Sequence, residues 1–166
     1  GISCVVDCRT DQPFAAESAR LIFTEHFLEH IDYPADARYF FSECFRILQP
    51  GGLIRIVVPD AEKYLRAYCD EGWGALEGLR QLKDGRSDPY FEVAYQTKME
   101  LVNMIFRQWG EHKFAYDFET LKNALEGCGF TRVSKMGCGS TLGTEPPIDL
   151  PERAHESLYV EAFKPA

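Results

Sequence analysis

The segment "LIRIVVP", Leu53–Pro59, constrains the fold more than any other stretch of the chain. Five of its first six residues are apolar. An extended chain of that composition is apolar on both faces, the pattern of an inner strand in a parallel sheet. The preceding stretch, "PADARYFFSECFRILQPGG", places apolar residues at Ala37, Phe40, Phe41, Cys44, Phe45 and Leu48. Their spacing of three and four marks one face of a helix. Pro50-Gly51-Gly52 predicts the helix stop and a tight turn. A one-faced helix feeding a two-faced strand points to a layered α/β fold.

The rest of the chain extends that pattern. "ISCVVD" (Ile2–Asp7) and "ARLIFT" (Ala19–Thr24) are short, apolar and β-branched, and predict strands. "EHFLEHI" (Glu25–Ile31) has room for at most two helical turns before "DYP". Asp60 is placed to cap the helix "AEKYLRAYCDEG". From Trp73 to Trp109 the pattern stays helical, with Phe91, Tyr95, Met99, Val102, Ile105 and Phe106 as a buried stripe. "GEHKFAY" is a loop. "DFETLKNALEGCGF" is a helix capped by Asp117, with Glu119 and Glu126 outside and Gly127 and Gly129 at its exit.

"FTRVSKM" and "SLYVEAFK" are the closing strands, the second alternating Leu158, Val160 and Ala162 against Tyr159, Glu161 and Phe163. The loop between them has no helical pattern, which suits an antiparallel pair at the end of a mainly parallel sheet. The stretch at about 61–116 is longer than one crossover helix requires, and is expected to be a helical, lid-like insertion.

Composition narrows the function classes. The net charge is −8, from 26 acidic and 18 basic residues. An acidic domain repels a phosphate backbone, so nucleic acid is not expected as a partner. No apolar run reaches the length of a membrane span, and the start lacks the features of a signal peptide. The six cysteines form no C-x-x-C pair and are expected to be reduced packing residues, in a cytoplasmic setting.

"HFLEH" matches H-x-x-E-H, the inverted zinc-protease motif. A zinc site here needs His26 and His30 on one helical face, with Glu29 as general base. The string instead leaves a strand and stops at Pro34. No metal site is therefore expected, and a zinc hydrolase is the third of three readings.

"VVDCRTDQPFAAESARLIFTEHFLEHI" followed by "FFSECFRILQPGGLIRIVVPD" resembles the middle of class I methyltransferases that use S-adenosylmethionine, within their type 11-like group. There a strand ending in Asp leads to an L-P-F loop, a strand, an H-x-L-E-H turn, and a helix ending R-x-L-x-P-G-G. "GEHKFAYDFETLKNALEGCGF" and "ESLYVEAFK" resemble the same proteins. The resemblance implies a Rossmann-like three-layer α/β/α fold and S-adenosylmethionine as cofactor. It also implies site residues: Asp7 and Cys8 near the adenine, Thr24 and Glu25 along the cofactor wall, and His26 to orient or deprotonate a substrate. Apart from the resemblance, His112, Lys113 and Tyr116 at the exit of the 61–116 insertion are lid or wall candidates, and Asp60 is a helix cap with a substrate contact as the second reading. Glu29 and His30 fix the turn.

Two departures matter. Gln12 stands where the family's loop has Leu. The family's Gly-rich loop and the acidic end of its second strand have no counterpart, so residues 1–166 are expected to be one domain truncated at the N-terminus. Cofactor binding by this chain alone is then weak or absent, since both features hold the cofactor. The functions expected are methyl transfer to a small molecule or, as the alternative, a non-catalytic binding or scaffold domain. "ARLIFT" and "ISCVVD" leave an open sheet edge, through which a homodimer is expected.

Overall fold

A computed structural model describes residues 5–166. The strand expected over Ile2–Asp7 lies partly outside these residues, and residues 5–7 are not extended in a sheet. The first strand, β1, spans Ala19–Glu25, and the one-faced helix α1 spans Ala35–Ile47. The inner strand β2 spans Leu48–Pro59 and runs parallel to β1, with Ile22 opposite Ile54 and Thr24 opposite Ile56. Asp60 caps α2 (Ala61–Cys69), its carboxylate accepting from the Glu62 and Lys63 N–H groups. The helices α3 (Gly74–Arg80), α4 (Lys98–Arg107) and α5 (Phe118–Gly127) follow, then strands β3 (Thr131–Met136) and β4 (Ser157–Phe163).

The sheet order is β1-β2-β4-β3. β1, β2 and β3 run one way and β4 runs against them. The expected antiparallel pair, β3 with β4, closes the sheet. The antiparallel C-terminal strand is as expected, but β4 enters between β2 and β3, so the sheet of the described residues is mixed, with β1–β2 as its parallel pair. Both neighbours of β4 must then pair with it antiparallel.

Helix α1 ends before Pro50-Gly51-Gly52, and these residues belong to β2 instead of a turn. The ladder explains this: Leu48 pairs with Ala19, the Gly51 N–H donates to the Lys164 carbonyl (3.0 Å), and Lys164 N–H donates to Gly52 (2.9 Å). Gly51 still holds φ +77°, a left-handed conformation that glycine adopts without strain.

The continuous helical pattern over Trp73–Trp109 breaks into α3 and α4. Gln81 ends α3 in the left-handed region, and Thr97 starts α4 through a capping box with Glu100. Between them the Asp88 carboxylate accepts from the Tyr90 and Phe91 N–H groups, holding a turn around Pro89. Met99 of the expected stripe is 46% exposed.

The core sits on one face of the sheet. Ile54, Ile56 and Val58 of β2 lie beside Ala162, Val160 and Leu158 of β4, and α1 and α5 pack over them. The expected alternation of β4 holds, with Leu158, Val160 and Ala162 in this core, but Tyr159 and Glu161 on the other face are buried as well. Their face is covered by the Gly/Pro-rich segment 137–150, where Arg55 donates to Gly137 and Ser140 carbonyls. A pocket of about 580 Å3 on this face is lined by strand and segment residues, among them Arg20, Phe23, Leu53, Leu142 and Ile148. This segment stands where the three-layer expectation placed helices.

The segment at 61–116 leaves and returns at one point. Asp60 bridges to Tyr116, and the Ala61 N–H donates to the Tyr116 carbonyl at 2.9 Å. It carries its own apolar cluster around Tyr64, Leu76, Tyr95, Leu101 and Ile105. Among the described residues no helix is long and apolar enough to cross a membrane, and the described cysteines carry no disulfide. Of these, Cys44 is buried and Cys69 is exposed.

Candidate functional site

The parallel register, Glu25 opposite Val57, sets the C-terminal ends of β1 and β2 side by side. β4 starts at the same level, with Ser157 opposite Pro59. In open α/β sheets the crevice at such strand ends is where ligands bind. The His26 N–H donates to the Val57 carbonyl (2.9 Å), extending the ladder by one residue. His26 then takes φ +48°, which costs on the order of 1–3 kcal/mol in a non-glycine residue. That reversal leads into a single 3-10 turn, Leu28–His30. The Glu29 carbonyl accepts from the Lys113 N–H at 2.7 Å and fastens the turn to the returning loop.

The His26 ring lies with Nε2 3.0 Å from Ser157 Oγ and Nδ1 3.5 Å from Glu29 Oε1. Burial pushes the imidazole down to about 4, and the nearby Arg153 charge acts the same way. It is neutral at physiological pH. Glu29 has a side chain only 3% exposed, and burial pushes its carboxyl up to about 7. Neither of its oxygens has a hydrogen-bond partner among the described residues.

The residues singled out from the sequence separate into two groups on either side of His26. Cys8, Thr24 and Glu25 line a groove of about 640 Å3 between the edge of β1 and α1, with Phe14, Phe27 and Phe40. Burial raises both the Cys8 thiol and the Glu25 carboxyl above their ordinary values. Glu25 Oε1 also accepts from the Leu150 N–H at 3.3 Å. Asp7 is not part of the groove wall. It is exposed and forked by Arg9, with bonds of 2.9 Å to each oxygen, which hold its carboxyl down at about 2.

His112 and Tyr116 fall in the other group. Together with Glu29, Pro59, Ile105 and Phe114 they line a void of about 10 Å3. His112 is buried and its Nδ1 lies 2.5 Å from the Ile105 carbonyl. The Tyr116 hydroxyl has no hydrogen-bond partner among the described residues, and burial raises its pKa. Lys113 is exposed and donates to the Gly110 carbonyl. Asp60 is fully buried. One carboxylate oxygen caps α2 and the other faces the Lys135 ammonium at 3.4 Å, so its side chain serves the helix end.

The geometry weighed for zinc is not formed. His26 precedes the 3-10 turn in a left-handed conformation and its ring turns to Ser157, while His30 stacks edge-on against His112 with ring centres 4.7 Å apart. Ser157 and Glu156 escaped the sequence reading, and no local signal marks them. Glu156 accepts from Tyr64 (2.8 Å), Arg80 (2.6 Å) and Arg153 (2.9 Å), while Arg80 also pairs with Asp88 at 2.9 Å. Burial alone would raise the Glu156 carboxyl, but Arg80 and its other donors hold it below its usual range. This network ties α2 and α3 to the start of β4, beside His26.

Residues 2–56 match a family model described as a methyltransferase domain. No curated protein sequence matches the chain. Many solved structures do. A possible exported protein from Bordetella parapertussis is 17% identical, with a TM-score of 0.54 over 97% of this chain and 43% of its own. An S-adenosylmethionine-dependent methyltransferase from Methanosarcina mazei is 14% identical, with a TM-score of 0.52 over 98% of this chain and 66% of its own. The S-adenosylmethionine-dependent methyltransferase SibL, in its apo form, is 16% identical, with a TM-score of 0.54 over 98% of this chain and 35% of its own. At these identities the likeness is one of fold. The chain spans less than two thirds of the length of each.

Proposed function

We propose, from the match of residues 2–56 to a methyltransferase-domain model, a part in S-adenosylmethionine-dependent methyl transfer to a small-molecule acceptor, with the groove beside β1 receiving the adenosyl end of the cofactor. The observation that carries this reading is the convergence of Cys8, Thr24 and Glu25 on one apolar groove at the strand ends. Its volume lies within the ~300–1,000 Å3 of small-molecule pockets. Its walls are mostly apolar, with Gln12, Ser18, Thr24 and Glu25 as the polar residues, a composition that suits a flat base and a hydroxyl-bearing sugar.

The fit covers one end of the cofactor. Among the described residues the groove's lining contains no glycine, so none of them offers a bare backbone cradle for the rest. Binding to this chain alone is therefore weaker than micromolar. When bound, the cofactor supplies a methyl group that is already activated, so the protein's task is to hold the partners in line. Neutral His26, aligned by Ser157, is an orienting group at the groove's end, and Asp7 can reach an adenine amino group only by releasing Arg9.

Nuclear magnetic resonance of the labelled chain, titrated to millimolar S-adenosylmethionine, tests the assignment. Shifts concentrated at Cys8, Ile22, Thr24, Glu25 and Phe27, with a midpoint above micromolar, are expected. Saturation without shifts at the groove, or shifts confined to the opposite face around Arg55, would overturn it.

A further inference from the structure

Beyond the groove, the turn that carries H-x-x-E-H meets a residue from the far end of the helical segment. Glu29, His30 and His112 each bring one ligand atom to a common point, all within 4.8 Å of one another. The two histidines are set for this by their backbone partners. His30 Nδ1 lies 3.2 Å from the Glu111 carbonyl and His112 Nδ1 lies 2.5 Å from that of Ile105. A carbonyl only accepts, so each Nδ1 carries the proton and each Nε2 keeps its lone pair. Metal-binding histidines are oriented by the same kind of second hydrogen bond. The third member is the Glu29 carboxylate, which is buried and has no hydrogen-bond partner among the described residues. Polar groups so buried are ordinarily satisfied, so a partner is called for.

We propose that Glu29, His30 and His112 bind a divalent transition ion of the zinc class, as a three-ligand site with a fourth position for water. Two imidazoles and a carboxylate are a donor set that zinc takes in tetrahedral sites. Ligands at about 2.0–2.2 Å from a tetrahedral ion stand about 3.3–3.6 Å apart, so a cluster within 4.8 Å closes when each side chain moves inward by about 1 Å or less. The alternative occupant of the void beside Glu29 and His112, a lone water, would satisfy Glu29 but leaves the meeting of two imidazoles with that carboxylate without a reason. The ion would clamp the strand-end turn to the returning end of the 61–116 segment. His26 is not a member of the cluster: its Nε2 is engaged by Ser157 and its Nδ1 faces Glu29 Oε1 from 3.5 Å.

The test is a zinc and cobalt(II) titration of the metal-free chain. One equivalent of zinc retained after dialysis is expected, with a rise in melting temperature. Cobalt should give visible ligand-field bands without a thiolate charge-transfer band. His30 is only partly buried, so His30→Ala should fold normally by circular dichroism and lose affinity at least about tenfold. Nitrogen-detected histidine spectra of the unaltered chain give a readout that needs no variant: zinc should move Nε2 of His30 and His112 and spare His26 and His155. Zinc well below one equivalent, a cobalt–thiolate band, unchanged affinity in His30→Ala, or shifts at His26 and His155 instead would each overturn the site.

Discussion

The two faces of the sheet are held by different physics although the same two strands build both. On one face Ile54, Ile56 and Val58 meet Ala162, Val160 and Leu158 beneath α1 and α5. On the other, Arg55 lies opposite Glu161, with 2.7 Å between them, and Asp149 closes on the guanidinium at 2.6 Å. Glu161 is fully buried and the Arg55 and Asp149 side chains are each 2% exposed. The first face is held by non-directional burial and fills its space. The second depends on a few charges whose removal one at a time leaves others stranded. It is also the face with the 580 Å3 pocket, because an irregular segment cannot close over a sheet as a helix does.

The largest effect separates the faces directly. Arg55→Ala strands two buried carboxylates and should cost about 3–5 kcal/mol in chemical denaturation. A loss below about 1 kcal/mol would mean that the segment 137–150 holds without its charges. On the apolar face, Ile56→Ala removes buried methylenes and should cost about 2–5 kcal/mol, with the slope of the denaturation curve unchanged. Unlike Arg55→Ala, this cost should be the same at pH 5 and pH 8, since no titrating group is involved.

Acid sharpens the contrast further. Burial alone would raise Asp149, but its bonds with Arg55 hold it below its ordinary value, and Glu156 and Asp88 are likewise depressed beside Arg80. A depressed carboxyl stabilises the fold above its unfolded pKa, about 3.9 for Asp and 4.3 for Glu, and loses that contribution as pH falls through the folded value. Stability should therefore decline from about pH 5 downward. Both tryptophans, Trp73 and Trp109, lie in or beside the Arg80-anchored segment. Their fluorescence should change before far-ultraviolet circular dichroism reports loss of the sheet. Coincident transitions would refute a separately tied helical segment.

The smallest effect concerns the sheet edge. Among the described residues β1 has one neighbour, β2, and Leu21 on it is 41% exposed. An open edge recruits partners, and we expect the chain to pair with a second copy there at micromolar concentration. Leu21→Lys should shift light-scattering mass towards the monomer with little change in stability. The groove assigned to the cofactor runs along the same edge, so pairing and cofactor should compete. Self-association that ignores both the variant and millimolar S-adenosylmethionine would move the contact elsewhere.

Much of the frame was legible in local pattern. The helix over Ala35–Ile47, the Asp60 and Asp117 caps and the strands at Ala19, Leu53, Thr131 and Ser157 follow from spacing that a short window records. The break at 81–97 was not, because aromatic residues kept a helical rhythm across a turn that Asp88 secures through its own side chain. The groove residues were reached through the order of family motifs. Neither route contains the Glu29–His112 meeting, because it joins segments about eighty residues apart that only the folded chain brings together.

By itself, then, the sequence determined the alternation of helices and strands and the identity of the apolar faces, since the periods of 3.6 and 2 are properties of the local backbone. It did not determine the position of β4 in the sheet, the face to which Arg55 and Glu161 turn, or the company His30 keeps. Those are pairings between segments distant in the chain. Their free energy comes from mutual burial and charge matching, and these exist only once the segments are packed together.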